Sequence, residues 1–133
     1  MKVSIKKNGD CLKNEDMPVI KEFVKFLKTQ LSLTDDVHIT LVDKRIAPMT
    51  TGVRLGKHRI NVLAKDRMLI DILRTIAHEW VHEYQHQKMG LKDTDKIQDI
   101  GGPEENMCNI LSGIFIKKFQ KNNPEFEHQI YHE

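Results

Sequence analysis

The strongest constraint on this sequence of 133 residues is a long amphipathic segment between Asp66 and Met89. Its apolar residues recur three and four positions apart, which is the repeat of one face of an α-helix. They are Leu69, Ile72, Leu73, Ile76, Ala77 and Trp80. Gly90 follows in the C′ position, where glycine commonly ends a helix. We therefore predict a helix over residues 66–89 that buries this face against the rest of the chain.

Two further segments have the repeat of an amphipathic helix. One runs from Pro18 to Leu31, with Asp16 expected as its N-cap. The other begins near Pro103, after a polar segment, residues 91–102, that we expect to be a loop. Its expected buried residues are Ile110, Leu111, Ile114, Phe115 and Phe119. The polar tail after Lys121 supports no structural prediction.

Alternating apolar residues predict three strands. Val37–Val42 is the first, and residues 53–55 and 59–63 flank Gly56-Lys57-His58, which has the composition of a hairpin turn. A helix, a three-stranded sheet and two further helices make an α+β fold. The length fits one compact domain, which we assign to residues 1–133.

The composition excludes several classes of function. With 39% hydrophobic residues the chain can bury a core without disulfides, so Cys11 and Cys108 are expected to be reduced, the latter as a small core residue. A net charge of +2, with scattered Lys and Arg, argues against a nucleic-acid partner. No apolar run predicts a signal peptide or a membrane span, so a cytoplasmic location is expected.

The predicted helix 66–89 carries residues suited to a metal site. His78 and His82 are four apart, so their side chains lie one above the other and can both reach one Zn²⁺. Glu79 is rotated away from the metal but can reach a coordinated water and remove its proton. The spacing predicts a zinc site with Glu79 as general base.

His86 extends the series of histidines but fails as the third ligand. It lies eight residues after His78, a rise of about 12 Å along the helix. The metal must lie between the first two histidines, and Gly90 is too late to break the helix between them. We therefore expect a polar surface residue, or one that contacts a substrate channel.

The start of the third helix is the better source of the third ligand. Adjacent carboxylates at Glu104 and Glu105 point about 100° apart on a helix, so only one can face the site. Glu105 is favoured because small residues share its face; Glu104 and Asp99 remain alternatives. Asn109, one turn after Glu105, is expected to hydrogen-bond and orient a metal histidine. Cys108, expected as a small core residue, has one alternative role, which is to block the open zinc position with a thiolate.

Two motifs carry a family resemblance: His78-Glu79-Trp80-Val81-His82 and, on a later helix, Pro103-Glu104-Glu105. With these motifs the chain resembles the zincin metallopeptidases of the gluzincin type. It is most similar to small single-domain peptidases from phages and mobile elements, as Gln85 also indicates. The resemblance covers residues 37–116 in order of elements. It implies a zincin-like fold and hydrolysis of peptide bonds, with zinc ligands His78, His82 and Glu105 and the general base and acid Glu79.

A protein or peptide substrate is expected on this interpretation. The strand at 59–63 would be a sheet edge to which an extended peptide could add. The oxyanion could be stabilised by one of four residues: His58, Tyr84, His128 or Tyr131. Two alternatives are a catalytically silent zinc-binding interaction domain, which needs four protein ligands, and a DNA-associated metalloprotease, which needs a basic face.

Overall fold

The computed structural model describes residues 1–45, 51–90 and 103–131. Within these ranges the chain forms four strands and four α-helices, which confirms the predicted α+β class. The strands are β1 (Val3–Lys7), β2 (Val37–Val42), β3 (Gly52–Arg54) and β4 (Arg59–Leu63), and the helices are α1 (Met17–Gln30), α2 (Leu69–Lys88), α3 (Pro103–Asn122) and α4 (Glu127–Tyr131). None of these helices has the length and apolar character needed to cross a bilayer.

The sheet has four strands in the order β1-β2-β4-β3, so the prediction of three strands was wrong. The strand that was missed, β1, pairs in parallel with β2, with Val3 opposite Val37 and Lys7 opposite Leu41. It is five residues long and places only Val3 and Ile5 against the core. In the sequence, α1 separates β1 from its partner β2. Their pairing is therefore a tertiary contact, which the residues near β1 do not predict.

The predicted hairpin is confirmed, but its place in the sheet was not foreseen. β3 pairs antiparallel with β4 around the turn at residues 56–58, where Lys57 and His58 have positive φ angles of 50° and 61°. β4 also pairs in parallel with β2, so it is an interior strand and the expectation that it forms an edge was wrong. Among the described strands, β3, the first strand of the hairpin, lies at one edge of the sheet, and β1 lies at the other.

The predicted first helix is confirmed as α1, and α2 packs against its C-terminal end. Trp80 on α2 is fully buried, and its indole Nε1 donates a hydrogen bond to the backbone carbonyl of Leu31 at 2.9 Å. Asp16 lies in the N-cap position of α1, but its carboxylate accepts a hydrogen bond from Gln129 at 2.8 Å instead of capping the helix. The predicted end of α2 at Gly90 is confirmed by a φ of +76°.

The buried face of α3 is rotated from the predicted one. Phe115 and Phe119 are buried as expected, but Ile110 and Ile114 are 62% and 42% exposed, so their prediction was wrong. Leu111 is half-buried. The buried face consists of Cys108, Ser112, Phe115, Ile116 and Phe119. Small side chains at two of these positions allow the backbone of α3 to approach α2 closely, which large isoleucines would prevent.

The chain after Lys121, for which the sequence supported no structural prediction, ends in a short helix that joins the core. A 3₁₀ turn at Pro124–Phe126 leads into α4, which contacts α2. Ile130 of α4 is fully buried, whereas neighbouring Tyr131 is exposed. One apolar residue thus anchors the C-terminal helix.

Two isoleucine-to-alanine substitutions test this packing. Ile130→Ala is expected to lower the free energy of unfolding by about 2–5 kcal/mol, because it empties a fully buried site. Ile110→Ala, the matched control on the exposed face of α3, is expected to change it by less than about 0.5 kcal/mol. Urea denaturation measures both values. A larger loss for Ile110→Ala would contradict the observed rotation of α3.

Candidate metal centre

The predicted metal residues of α2 and α3 meet at one carboxylate. His78 Nε2 lies 3.2 Å from Glu105 Oε2, and His82 Nε2 lies 2.7 Å from Glu105 Oε1. The two imidazole rings are one helical turn apart, with centroids separated by 4.9 Å. The structure therefore brings together the three residues predicted as ligands, with both ring nitrogens pointing at the same place.

Cys108, on the next turn of α3, forms a group of possible metal ligands with the same two histidines, of which Glu105 is not a member. Its Sγ and one ring nitrogen each of His78 and His82 all lie within 4.8 Å of one another. Ligand atoms of one tetrahedral zinc lie about 3–4 Å apart, so these three atoms need to approach only slightly to share an ion. Cys108 is fully buried, as predicted, and its position beside the histidines is the one that the less favoured prediction, a thiolate at the open zinc position, requires.

The donor set fits zinc better than a hard cation. Imidazole nitrogen, thiolate sulfur and carboxylate oxygen are all zinc ligands, whereas Mg²⁺ and Ca²⁺ are bound mainly through oxygen. Burial lowers the pKa of His78 despite the opposing effect of nearby Glu105, which favours the neutral imidazole that binds a metal. Burial also raises the pKa of the Cys108 thiol, and Glu105 and Glu79 add to this, so the apo protein holds a neutral thiol.

An amide side chain contacts one of the two candidate ligand histidines. Gln85 Oε1 lies 3.0 Å from His82 Nδ1, while Gln85 Nε2 donates to the backbone carbonyl of Glu104 at 3.0 Å and so fixes the orientation of the amide. Because an amide oxygen only accepts, Nδ1 of His82 donates in this contact, and Nε2 is the ring nitrogen that faces Glu105. A side-chain hydrogen bond with Asn109 opposes the lowering of the His78 pKa, and the role of Asn109 in orienting that ring stays a prediction. The role of Gln85 was not foreseen.

Glu79 lies beside the histidines in a buried position, only 8% exposed. Burial raises its pKa to about 7, against the opposing charges of His82 and Arg54. A carboxyl group with a pKa near neutrality is present in both protonation states at physiological pH, so it can take up a proton and release it again. This is the property that the predicted general base requires.

Gly52 brings the backbone of edge strand β3 directly over Glu79. A Cβ atom added at Gly52 would lie 2.5 Å from Thr75 Cγ2 and 3.2 Å from Glu79 Cγ. Only glycine fits at this distance, which places the main chain of β3 against the carboxyl-bearing side chain. The sequence analysis did not single out Gly52; a glycine within a short strand is the one local signal that could have indicated close approach.

A second buried carboxylate, Glu83, ties the hairpin to α2. Its Oε2 accepts from Arg54 Nε on β3, and its Oε1 contacts His58 Nδ1 in the turn and accepts from Gln87 Nε2. Burial alone would raise the pKa of Glu83, but the donors Arg54, Gln87 and His58 together lower it. The carboxylate thus stays ionised, and it fixes the position of β3 relative to the helix that carries the metal residues.

The other described residues predicted for the site, as ligands or as oxyanion stabilisers, lie outside the group of histidines. Glu104 is half-buried in the first turn of α3, and His86 lies on α2 outside the cluster of His78, His82 and Cys108. Of the residues considered for oxyanion stabilisation, His58 contacts Glu83 and Asp35, and the Tyr131 hydroxyl accepts a hydrogen bond from Gln120. Tyr84 packs against the core and His128 is exposed on α4.

Two of the sequence predictions fall in the segment from 91 to 102. Asp99, the third candidate for the oxygen ligand, and the predicted loop both lie outside the described residues. The ligand roles of Glu105 and Glu104 stay predictions, although only Glu105 contacts both histidines among the described carboxylates.

Comparison with known proteins identifies no relative. The chain matches no family model, and no curated protein or solved structure matches it. What the site can do must therefore be inferred from its own residues.

The close approach of β3 to Glu79 is tested with two glycine substitutions. Gly52→Ala is expected to lower the free energy of unfolding by about 1–3 kcal/mol, because the new methyl group overlaps Thr75. In Gly113→Ala, the control, the added Cβ meets no described atom within 4 Å, and alanine in a helix is expected to raise stability by about 0.5–1 kcal/mol. Urea denaturation should give changes of opposite sign in the free energy of unfolding of the two variants. A Gly52→Ala variant as stable as wild type would contradict the close contact.

The role of Glu83 in holding the hairpin is tested by removing its charge. Glu83→Gln is expected to lower the free energy of unfolding by about 3–5 kcal/mol, because half-buried Arg54 loses the ionised, fully buried partner that it contacts. The same change at exposed Glu22, which pairs with Lys25 at 3.5 Å, should cost less than about 1 kcal/mol. Thermal and urea unfolding give both values. Equal, small losses would show that Glu83 does not anchor β3.

Proposed function

We propose that this protein is a zinc-dependent peptidase of the gluzincin type, with a zincin-like fold. The observation that carries the proposal is the convergence of His78 Nε2 and His82 Nε2 on the carboxylate of Glu105. Two helices thus deliver three zinc-binding groups to one point, and Glu79 lies buried beside them. The proposed protein ligands are His78, His82 and Glu105.

Zinc, when bound, supplies a Lewis acid that polarises a substrate carbonyl and acidifies water. In the proposed mechanism, the Glu79 carboxylate takes the proton from the attacking water and later passes it to the leaving amine. Its pKa of about 7 supports both steps, since burial stabilises the protonated form without making it permanent. Gln85 and Asn109 keep the two imidazoles oriented towards the site.

The proposed substrate is an extended peptide that pairs with strand β3. This strand lies at an end of the sheet, and no strand among the described residues pairs with its outer side, the position at which an extended peptide could add. Gly52 places that backbone over Glu79, and the contact between Arg54 and Glu83 holds the strand against α2. A peptide added along this edge would bring its own main-chain carbonyls close to Glu79.

A second candidate function is a zinc-binding interaction domain without catalysis. One observation favours it: Cys108 Sγ lies within 4.8 Å of the two histidine nitrogens, so the chain offers a fourth protein donor. A zinc with four protein ligands has a structural role in most proteins. Against it stands Glu79, because a buried carboxyl group that binds no metal has no function in a structural site.

The proposed function is tested by zinc content and peptide cleavage in three glutamate-to-glutamine variants. Glu79→Gln is expected to retain zinc but lose about 10²–10⁴-fold in kcat, the usual contribution of acid–base catalysis. Glu105→Gln is expected to lose zinc affinity by more than about 100-fold, beyond the effect of losing a residue that only orients a ligand. Glu104→Gln is the matched control and should resemble wild type in both assays.

Three outcomes would contradict this assignment. Wild-type protein that binds no zinc would remove its basis. Cleavage by Glu79→Gln at the wild-type rate would show that Glu79 is not the base, even if zinc is bound. Equal zinc loss in the Glu104→Gln and Glu105→Gln variants would contradict the choice of ligand.

A further inference from the structure

The two cysteines of the chain have different surroundings, although both are buried. Cys11 Sγ lies 3.5 Å from the backbone carbonyl of Leu41, in an ordinary core position. Cys108 instead lies beside two imidazoles whose nitrogens are within 4.8 Å of its sulfur. A cysteine with only a packing role does not require nitrogen ligands beside its sulfur.

The position of Cys108 follows from the geometry of α3. It is three residues after Glu105, so the two side chains lie on neighbouring positions of one helix face. Ser112, one turn further on, donates a hydrogen bond to the Cys108 carbonyl at 2.6 Å, and both are buried against α2. The rotation of α3 that exposes Ile110 therefore also directs the thiol towards the histidines.

We propose that Cys108 is a fourth protein ligand that closes the metal site in the resting protein. The described donors that lie within 4.8 Å of one another are those of His78, His82 and Cys108. The Glu105 carboxylate, which contacts both histidines, would complete the four donors that a tetrahedral zinc accepts. A metal cation deprotonates a coordinating thiol, and zinc binds thiolate sulfur strongly. Water then has no position on the metal until the thiolate leaves.

This role of Cys108 rests on the proposed peptidase function and adds a means of regulating that activity. Hydrolysis needs one open position on the zinc, and the fraction of molecules with that position open sets the rate. Cys108 therefore holds the protein in a low-activity state, in which Glu79 is in place but has no water to activate. Removing the thiol opens the site.

Cobalt absorption spectroscopy tests the ligand directly, without any assay of activity. The protein is loaded with Co²⁺ alone, because a cobalt–thiolate bond gives a charge-transfer band in the near ultraviolet. We expect this band in wild type and in the control Cys11→Ala, and its loss in Cys108→Ala. Cys108→Ser, which preserves the side-chain volume, should lose the band too and guards against a folding defect in the alanine variant. Thermal unfolding checks that each variant is folded.

Cleavage by the zinc-loaded proteins tests the closure. Cys108→Ala is expected to cleave a peptide about tenfold faster or more than wild type, because activity scales with the fraction of open sites. A wild-type spectrum without the charge-transfer band, or a band that persists in folded Cys108→Ala, would overturn the proposed ligand. A band lost as expected, with cleavage unchanged or slower in Cys108→Ala, would overturn the closure. A band lost as expected with no cleavage by any variant would instead refute the peptidase function.

Discussion

The structure depends on one constraint, which is that helix α2 is buried around most of its circumference and still carries polar side chains. Five of the seven buried polar residues in the described ranges lie on this helix: Thr75, Glu79, His82, Glu83 and Gln85. Each buried polar group must find a partner or lose the free energy of its hydrogen bonds with water. Their partners outside α2 include Glu105 on α3, and Arg54 and His58 on the hairpin, so these contacts position α3 on one side and the β3–β4 hairpin on the other.

The two buried carboxyl groups of α2 have opposite environments, and this difference shifts their pKa values in opposite directions. Glu83 is surrounded by donors, which lower its pKa and keep it ionised. Glu79 has few such contacts, so burial raises its pKa to about 7. A fixed charge is suited to holding the hairpin, whereas a carboxyl group that changes protonation near neutral pH is suited to moving protons. Within the proposed function, the first supports the strand over which the second acts.

Local patterns predicted those parts of the fold whose residues are close in the sequence. Helical spacing predicted α1 and α2, and the turn composition predicted the β3–β4 hairpin. Helical spacing also predicted α3 and its start at Pro103, but not its buried face. Ile110 and Ile114 made one face look apolar, whereas the face that packs on α2 contains Cys108 and Ser112. Close packing of two helices selects small residues at their contact, and this preference can override hydrophobicity. Strand β1 was missed because its partner β2 lies beyond an entire helix.

The sequence by itself determined that His78 and His82 share one face of a helix with Glu79 beside them, since the geometry of an α-helix places residues one turn apart together whatever surrounds them. Only the tertiary structure decided what meets that face. The rotation of α3 brought Glu105 and Cys108 to the histidines, and the sheet order brought Gly52 over Glu79. These contacts join residues from separate elements, and the packing of whole helices and strands sets their distances. The motif therefore indicates a chemistry, while the packing around it determines which donors and which strand are available to carry it out.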